Sequence, residues 1–208
     1  MEDLRRRVRV LEDLLREYIY FIGIIHKIGG SYLSKVDEKD IDHFGFIPSN
    51  IGCTMNTLIP LYDHIAKSVK FRHKSEIRFL DIGCGIGNVV KMAERIGFNA
   101  CGLEYNAKIY KVAKTFSKRS YHIPSRVIRG DMLTFENYHE YDVLYYYQPM
   151  ANSDIMGDFA KRLARKMKVG AYVIPHGTNS FKGMKSFRLV PLRPAQDTWN
   201  VYKKIKEV

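Results

Sequence analysis

The chain has 208 residues, of which 46% are apolar and 12% aromatic, enough to bury one substantial core. A charged fraction of 27%, with 11 Phe and 14 Tyr, excludes a disordered chain. Cys53, Cys84 and Cys101 lie far apart with no C-x-x-C pair, which excludes a disulfide scaffold and a four-cysteine zinc site and fits a reducing compartment.

The longest apolar run, residues 18–25, is eight residues long, well short of the roughly 20 that a membrane-spanning helix needs. Glu12, Asp13 and Glu17 stand where a secretory signal would be apolar, so we expect a cytoplasmic protein with no membrane span. The net charge is +12, and the last 58 residues hold +8 of it. That asymmetry fits an anionic partner at the basic C-terminal part, or a solvated basic helix face.

In chain order, Leu4, Val8, Leu11, Leu15, Tyr18, Ile22 and Ile25 alternate at spacings of four and three, an apolar seam about three heptads long. The seam either packs on the protein's own core or joins two copies as a homodimer. Gly29 and Gly30 end this helix, residues 37–42 form an acidic linker, and residues 48–50 are a further break. A helix is expected from Thr54 or Thr57 to residue 69, interrupted or started near Pro60.

From Glu76 onward short strands alternate with helices. Strands are expected over 77–81, 99–104, 126–129, 141–147 and 171–175, and two closing β-segments over 187–192 and 198–204. Helices are expected over 88–96, after Asn106 as cap with Ile109, Val112, Ala113 and Phe116 on one face, and over 154–168 with Ser153 as cap. Such alternation implies an α/β fold with parallel strands and helices on both faces.

The informative stretch is residues 79–88, FLDIGCGIGN. A strand runs into three alternate glycines that open a helix, and an acid, Asp81, stands two residues before the first of them. Glycine lets a ligand approach the backbone because no Cβ stands in the way. A dinucleotide loop wants Gly or Ala where this chain has Asn88, which disfavours a nicotinamide-dependent oxidoreductase. Glu104 ends the next strand, 17 residues past Gly87, near the distance at which an acid reaches ribose hydroxyls. Asp131 and Met132 follow the third strand, where an acid and a backbone amide can pair with adenine. All of these arrive at the carboxyl edge of the sheet, where open α/β folds bind ligands.

Together these motifs resemble the class I S-adenosylmethionine-dependent methyltransferases, over residues 46–208. The resemblance implies a three-layer, doubly wound, mostly parallel seven-stranded sheet with an antiparallel last strand, preceded by an N-terminal helical extension over residues 1–45. It implies S-adenosyl-L-methionine as cofactor. Asp81, Gly83, Cys84, Gly85, Gly87 and Asn88 would then line the methionine side, Glu104 and Tyr105 the ribose, and Asp131 and Met132 the adenine. Cys84 reads as a wall of the pocket and not as a nucleophile, and no catalytic metal is expected.

Acceptor-side candidates are Tyr147, Gln148 and His176, at the ends of the fourth and fifth strands. The turn after strand four is Tyr-Gln-Pro-Met, without the Asn/Asp-Pro-Pro-aromatic motif of many adenine and glutamine methyltransferases and without a Pro-Cys pair. Asp142 is expected to support its strand. Residues 44–50 have the placement of a lid. The acceptor is not identified by these residues; the basic C-terminal part leans the reading toward a macromolecule, protein or RNA. The alternative is a non-catalytic S-adenosylmethionine- or nucleoside-binding regulatory or scaffold module.

Overall fold

The computed structural model describes residues 49–68, 76–117, 126–147, 149–150, 152–176, 180–192 and 198–208, together with Arg5, Val8, Arg9 and Glu12. Those last four are helical, and Val8 is 44% exposed. The rest of the apolar seam, the acidic linker at 37–42, most of the 44–50 segment and Gln148 lie outside the described residues.

The described elements are α1 (Ile51–Ser68), β1 (Arg78–Ile82), α2 (Asn88–Ile96), β2 (Asn99–Glu104), α3 (Ala107–Ser117), β3 (Arg126–Arg129), β4 (Val143–Tyr147), α4 (Ser153–Lys166), β5 (Tyr172–His176), β6 (Phe187–Leu189) and β7 (Tyr202–Lys204). A short 3-10 turn, Asn137–Glu140, leads into β4. The strands form one sheet in the order β3-β2-β1-β4-β5-β7-β6. Pairing is parallel from β3 through β5, while β7 runs antiparallel to both of its neighbours. The reversal of order beside β1 creates a crevice at the carboxyl edge of the sheet.

Strand periodicity divides the core. Phe79, Tyr145 and Ile174 face α1 and α2 in one apolar cluster. Leu80, Tyr146 and Val173 face α4 in a second cluster on the other side. Successive side chains of a strand point to opposite faces, so the central strands must be apolar throughout. Phe79, Leu80 and Ile82 are fully buried, and each such side chain contributes about 1.5–3 kcal/mol.

Several boundaries differ from expectation. Helix α1 begins at Ile51, because the Asn50 side chain accepts a hydrogen bond from the Cys53 amide (2.9 Å). It then continues through Pro60 to Ser68. Proline removes one ladder hydrogen bond, but buried Leu58, Ile59, Leu61, Tyr62 and Ile65 hold the helix on both sides of it. The cap of α4 is Asn152, not Ser153: its Oδ1 accepts from the Asp154 and Ile155 amides at 2.9 and 3.2 Å. Asn106 caps α3 as expected, accepting from Lys108 and Ile109. The closing β-segments shrink to three residues each, although the Val190 amide still reaches the Val201 carbonyl at 2.8 Å. Asp142 supports the start of β4 by accepting from the Arg78 amide (2.8 Å) and pairing with Lys168 (2.7 Å).

Candidate functional site

The glycine loop after β1 takes its shape from three left-handed residues, Gly83, Gly85 and Gly87, with φ of 74°, 56° and 92°. Gly83 and Gly87 do different work. A Cβ on Gly83 would stand 2.8 Å from Pro149 Cβ, so this glycine lets the turn after β4 close over the loop. A Cβ on Gly87 would meet nothing within 4 Å. Gly87 is also the N-cap of α2, and no side chain caps that helix. The first-turn amides of α2 therefore have no side-chain cap at the positive end of the helix dipole.

Cys84 is buried, and its sulfur lies where a Cβ on Gly102 would stand only 2.5 Å away, so β2 accepts the loop only because position 102 has no side chain. Burial, and then the charges of Asp81 and Glu104, push the Cys84 thiol well above its ordinary value. It stays protonated, which suits a packing residue and not a nucleophile.

Glu104 fastens the loop from below. One carboxyl oxygen accepts from the Gly85 amide (2.9 Å) and the other from the Asn106 amide (2.8 Å). Asp81 is 3% exposed and Glu104 is 7% exposed. Burial pushes both carboxyls up, and the charge of Glu104 adds to the push on Asp81. Two neighbouring acids in a desolvated crevice suit a ligand that brings positive charge and hydroxyl donors, since either would favour the ionised forms. Tyr105, next along, is 46% exposed at the rim.

At the end of β3, Asp131 accepts from the Leu133 amide through Oδ1 at 2.8 Å, and its backbone carbonyl accepts from Phe135 at 2.9 Å. The Met132 carbonyl accepts from the Tyr138 hydroxyl at 2.7 Å. These bonds fix the turn. They leave the Met132 amide without a partner among the described residues and the second Asp131 oxygen available to a ligand.

The acceptor side is built by strand register. Tyr147 of β4 is paired with His176 of β5. The antiparallel register Tyr172↔Lys203 and Val173↔Tyr202, counted onward, sets His176 opposite Trp199. The three rings stack accordingly, with centroids 3.9 Å apart for Tyr147–His176 and 3.6 Å for His176–Trp199. Tyr147 and Trp199 pack on the core cluster under α1. The Trp199 amide donates to Thr57 Oγ1 of that helix (2.8 Å), and Ser49, just before it, bonds the Tyr145 hydroxyl (2.7 Å). Burial pulls the His176 imidazole down to about 4, so the ring is neutral near pH 7 and a poor proton acceptor. Trp199 was missed from sequence because it sits where a strand was expected; only its place before a strand that returns antiparallel could have marked it.

Among the described residues, no group of three or more His, Cys, Asp or Glu side chains is placed to hold a metal ion, and no helix is long and apolar enough to cross a membrane.

Comparison with known proteins gives a consistent picture. Residues 80–174 match the family model described as Methyltransferase domain. No curated protein matches the sequence. Among solved structures, an RNA methyltransferase from Salinibacter ruber in complex with S-adenosyl-L-homocysteine is similar with a TM-score of 0.52 and 18% identity, covering 78% of this chain and 96% of that one. A protein described as an S-adenosyl-L-methionine-dependent methyltransferase from Methanococcus maripaludis is similar with a TM-score of 0.50 and 13% identity, covering 75% of this chain and 88% of that one. At such identities the likeness is one of fold.

Proposed function

We propose that this chain is a class I S-adenosylmethionine-dependent methyltransferase, an active enzyme that transfers the methyl group of S-adenosyl-L-methionine to an acceptor bound beside Tyr147 and His176. The supporting observation is the pair of buried acids, Asp81 and Glu104, next to a glycine loop whose helix has no side-chain cap. When bound, the cofactor supplies a methyl group on a positively charged sulfur, which leaves as a neutral thioether while the acceptor forms the new bond to carbon.

The residues divide that work. The loop from Gly83 to Asn88 and buried Asp81 hold the charged amino-acid end of the cofactor. Glu104 keeps the loop in place and offers its remaining lone pairs to the ribose hydroxyls. Asp131 accepts from the exocyclic amine of adenine while the Met132 amide donates to a ring nitrogen. Tyr147 and His176 orient the acceptor. Neutral His176 serves as a hydrogen-bond partner and not as the proton sink; a proton released by the acceptor goes to water. Positioning of the two reactants in a water-poor crevice supplies much of the acceleration.

Calorimetry with S-adenosyl-L-methionine and with NAD tests the cofactor; tighter NAD binding overturns the reading. A screen with methyl-labelled donor and cell extract, followed by separate nuclease and protease digestion, tests the activity. Donor binding with no labelled product in any fraction would move the chain to a non-catalytic binding module.

A further inference from the structure

Resting on the methyltransferase reading, we infer that the acceptor is a nucleobase, held by its edge at His176 and Trp199 beside the Tyr147 ring.

The argument begins with two nitrogens. His176 Nδ1 and Trp199 Nε1 are both buried and have no hydrogen-bond partner among the described residues. They cannot satisfy each other. The rings are stacked at 3.6 Å with 28° between their planes, and each nitrogen directs its N–H or lone pair within its own ring plane. A buried polar atom left unpaired is costly, so the natural partner is a bound group that approaches along the ring edges.

The two atoms also define what that group must carry. Trp Nε1–H only donates, so the ligand needs an acceptor atom there. Neutral His176 offers either a donor or an acceptor at Nδ1. A neutral aliphatic amine has one lone pair, which it must spend on the incoming methyl, leaving nothing for Trp199. A nucleobase carries carbonyl or ring-nitrogen acceptors and N–H donors around one flat edge. The base can reach the site as part of a single strand or as a free nucleotide.

The chain contains one tryptophan, so Trp199 emission reports on this site alone. The protein saturated with S-adenosyl-L-homocysteine is titrated with a ten-nucleotide single-stranded RNA of mixed sequence, with the four free nucleoside monophosphates, and with a lysine- and arginine-rich peptide of similar length. Quenching by the RNA or by a monophosphate is expected, and which of the two binds identifies the source of the base. His176→Phe keeps a ring in the row but removes Nδ1; it should weaken that binding, read by anisotropy of labelled RNA or by monophosphate calorimetry, about tenfold. Affinity for S-adenosyl-L-homocysteine should stay within about twofold in the same variant. Label from methyl-labelled donor should then appear in nuclease-released nucleosides.

Quenching by the peptide alone, nucleotide binding unchanged in His176→Phe, or label confined to protease-sensitive material overturns the inference. Failure of S-adenosyl-L-homocysteine to bind at all overturns the methyltransferase reading instead, so the two failures are distinguishable.

Discussion

Asp81 and Glu104 are maintained in the crevice against their own desolvation. The folded state holds their carboxyl pKa values above those of the unfolded chain, so it binds more protons than the unfolded chain over that interval. Their ionisation therefore lowers stability as pH rises through it. Asp81→Asn should accordingly raise the melting temperature of the ligand-free protein, by about 2–4 °C for each kcal/mol of burial cost relieved, while weakening cofactor binding measured by calorimetry. A fall in both stability and affinity would show that Asp81 is structural. Glu104→Ala should weaken the cofactor by about 1.5–3 kcal/mol, since it removes charged hydrogen bonds and frees the Gly85 amide.

The opposite sign applies to His176, whose folded pKa of about 4 lies below the ordinary 6.5. Between those values the unfolded chain binds the extra proton, so stability is lost as pH falls from about 6.5 toward 4. The slope is at most about 1.4 kcal/mol per pH unit, less what partial solvent contact screens. Urea midpoints at pH 7 and pH 5 should differ more for the native protein than for His176→Phe. Equal differences would mean that the imidazole is solvated.

Two glycines of the loop following β1 make separable predictions at the level of elements. Gly83→Ala meets both a left-handed backbone and the Pro149 side chain, and should cost about 1–3 kcal/mol of folding stability. Gly87→Ala meets only the backbone preference, in open space. It should fold with a smaller loss and express its defect in cofactor affinity, because its new methyl group enters the volume next to the α2 amides. The order of the two variants in thermal melts, set against their order in calorimetry, checks this division.

How much of this was legible in the sequence follows from range. Residues 88–96, 99–104 and 126–129 emerge with the boundaries expected of them, because glycine turns and alternating apolar runs specify them locally. The acid-glycine loop, Glu104 and the turn at Asp131 could be placed on one edge because parallel α/β topology sends every strand's carboxyl end there. Asn50 and Asn152 were passed over as caps since Asn, Ser and Thr compete for that role and only the backbone conformation decides between them. Trp199 was out of reach because its neighbour in space is 23 residues away in sequence and is met through a register that no local pattern encodes.

Across the whole molecule, one hydrogen bond ties the start of the described domain to its end. The Trp199 amide donates to Thr57 Oγ1 across 142 residues, and the Thr57 side chain is fully buried. Thr57→Val preserves shape while leaving that amide unpaired, and should cost about 1–3 kcal/mol in chemical denaturation. An unchanged midpoint would mean that water replaces the hydroxyl. At the far edge, Lys204 is fully buried and holds the Met167 carbonyl and Glu207 at 2.7 Å each, fastening β7 to the end of α4.

The backward course of β7 has a temporal consequence. A ribosome makes the glycine turn, Glu104 and Asp131 well before it reaches Trp199, since synthesis runs from low to high numbers. A polypeptide released early, between residues 176 and 198, carries every group assigned to the donor yet leaves His176 without its outer stacking neighbour. Copies ended in that window would hold the nucleoside with nothing to give it to, and the few residues up to Trp199 separate such a sink from a finished rim.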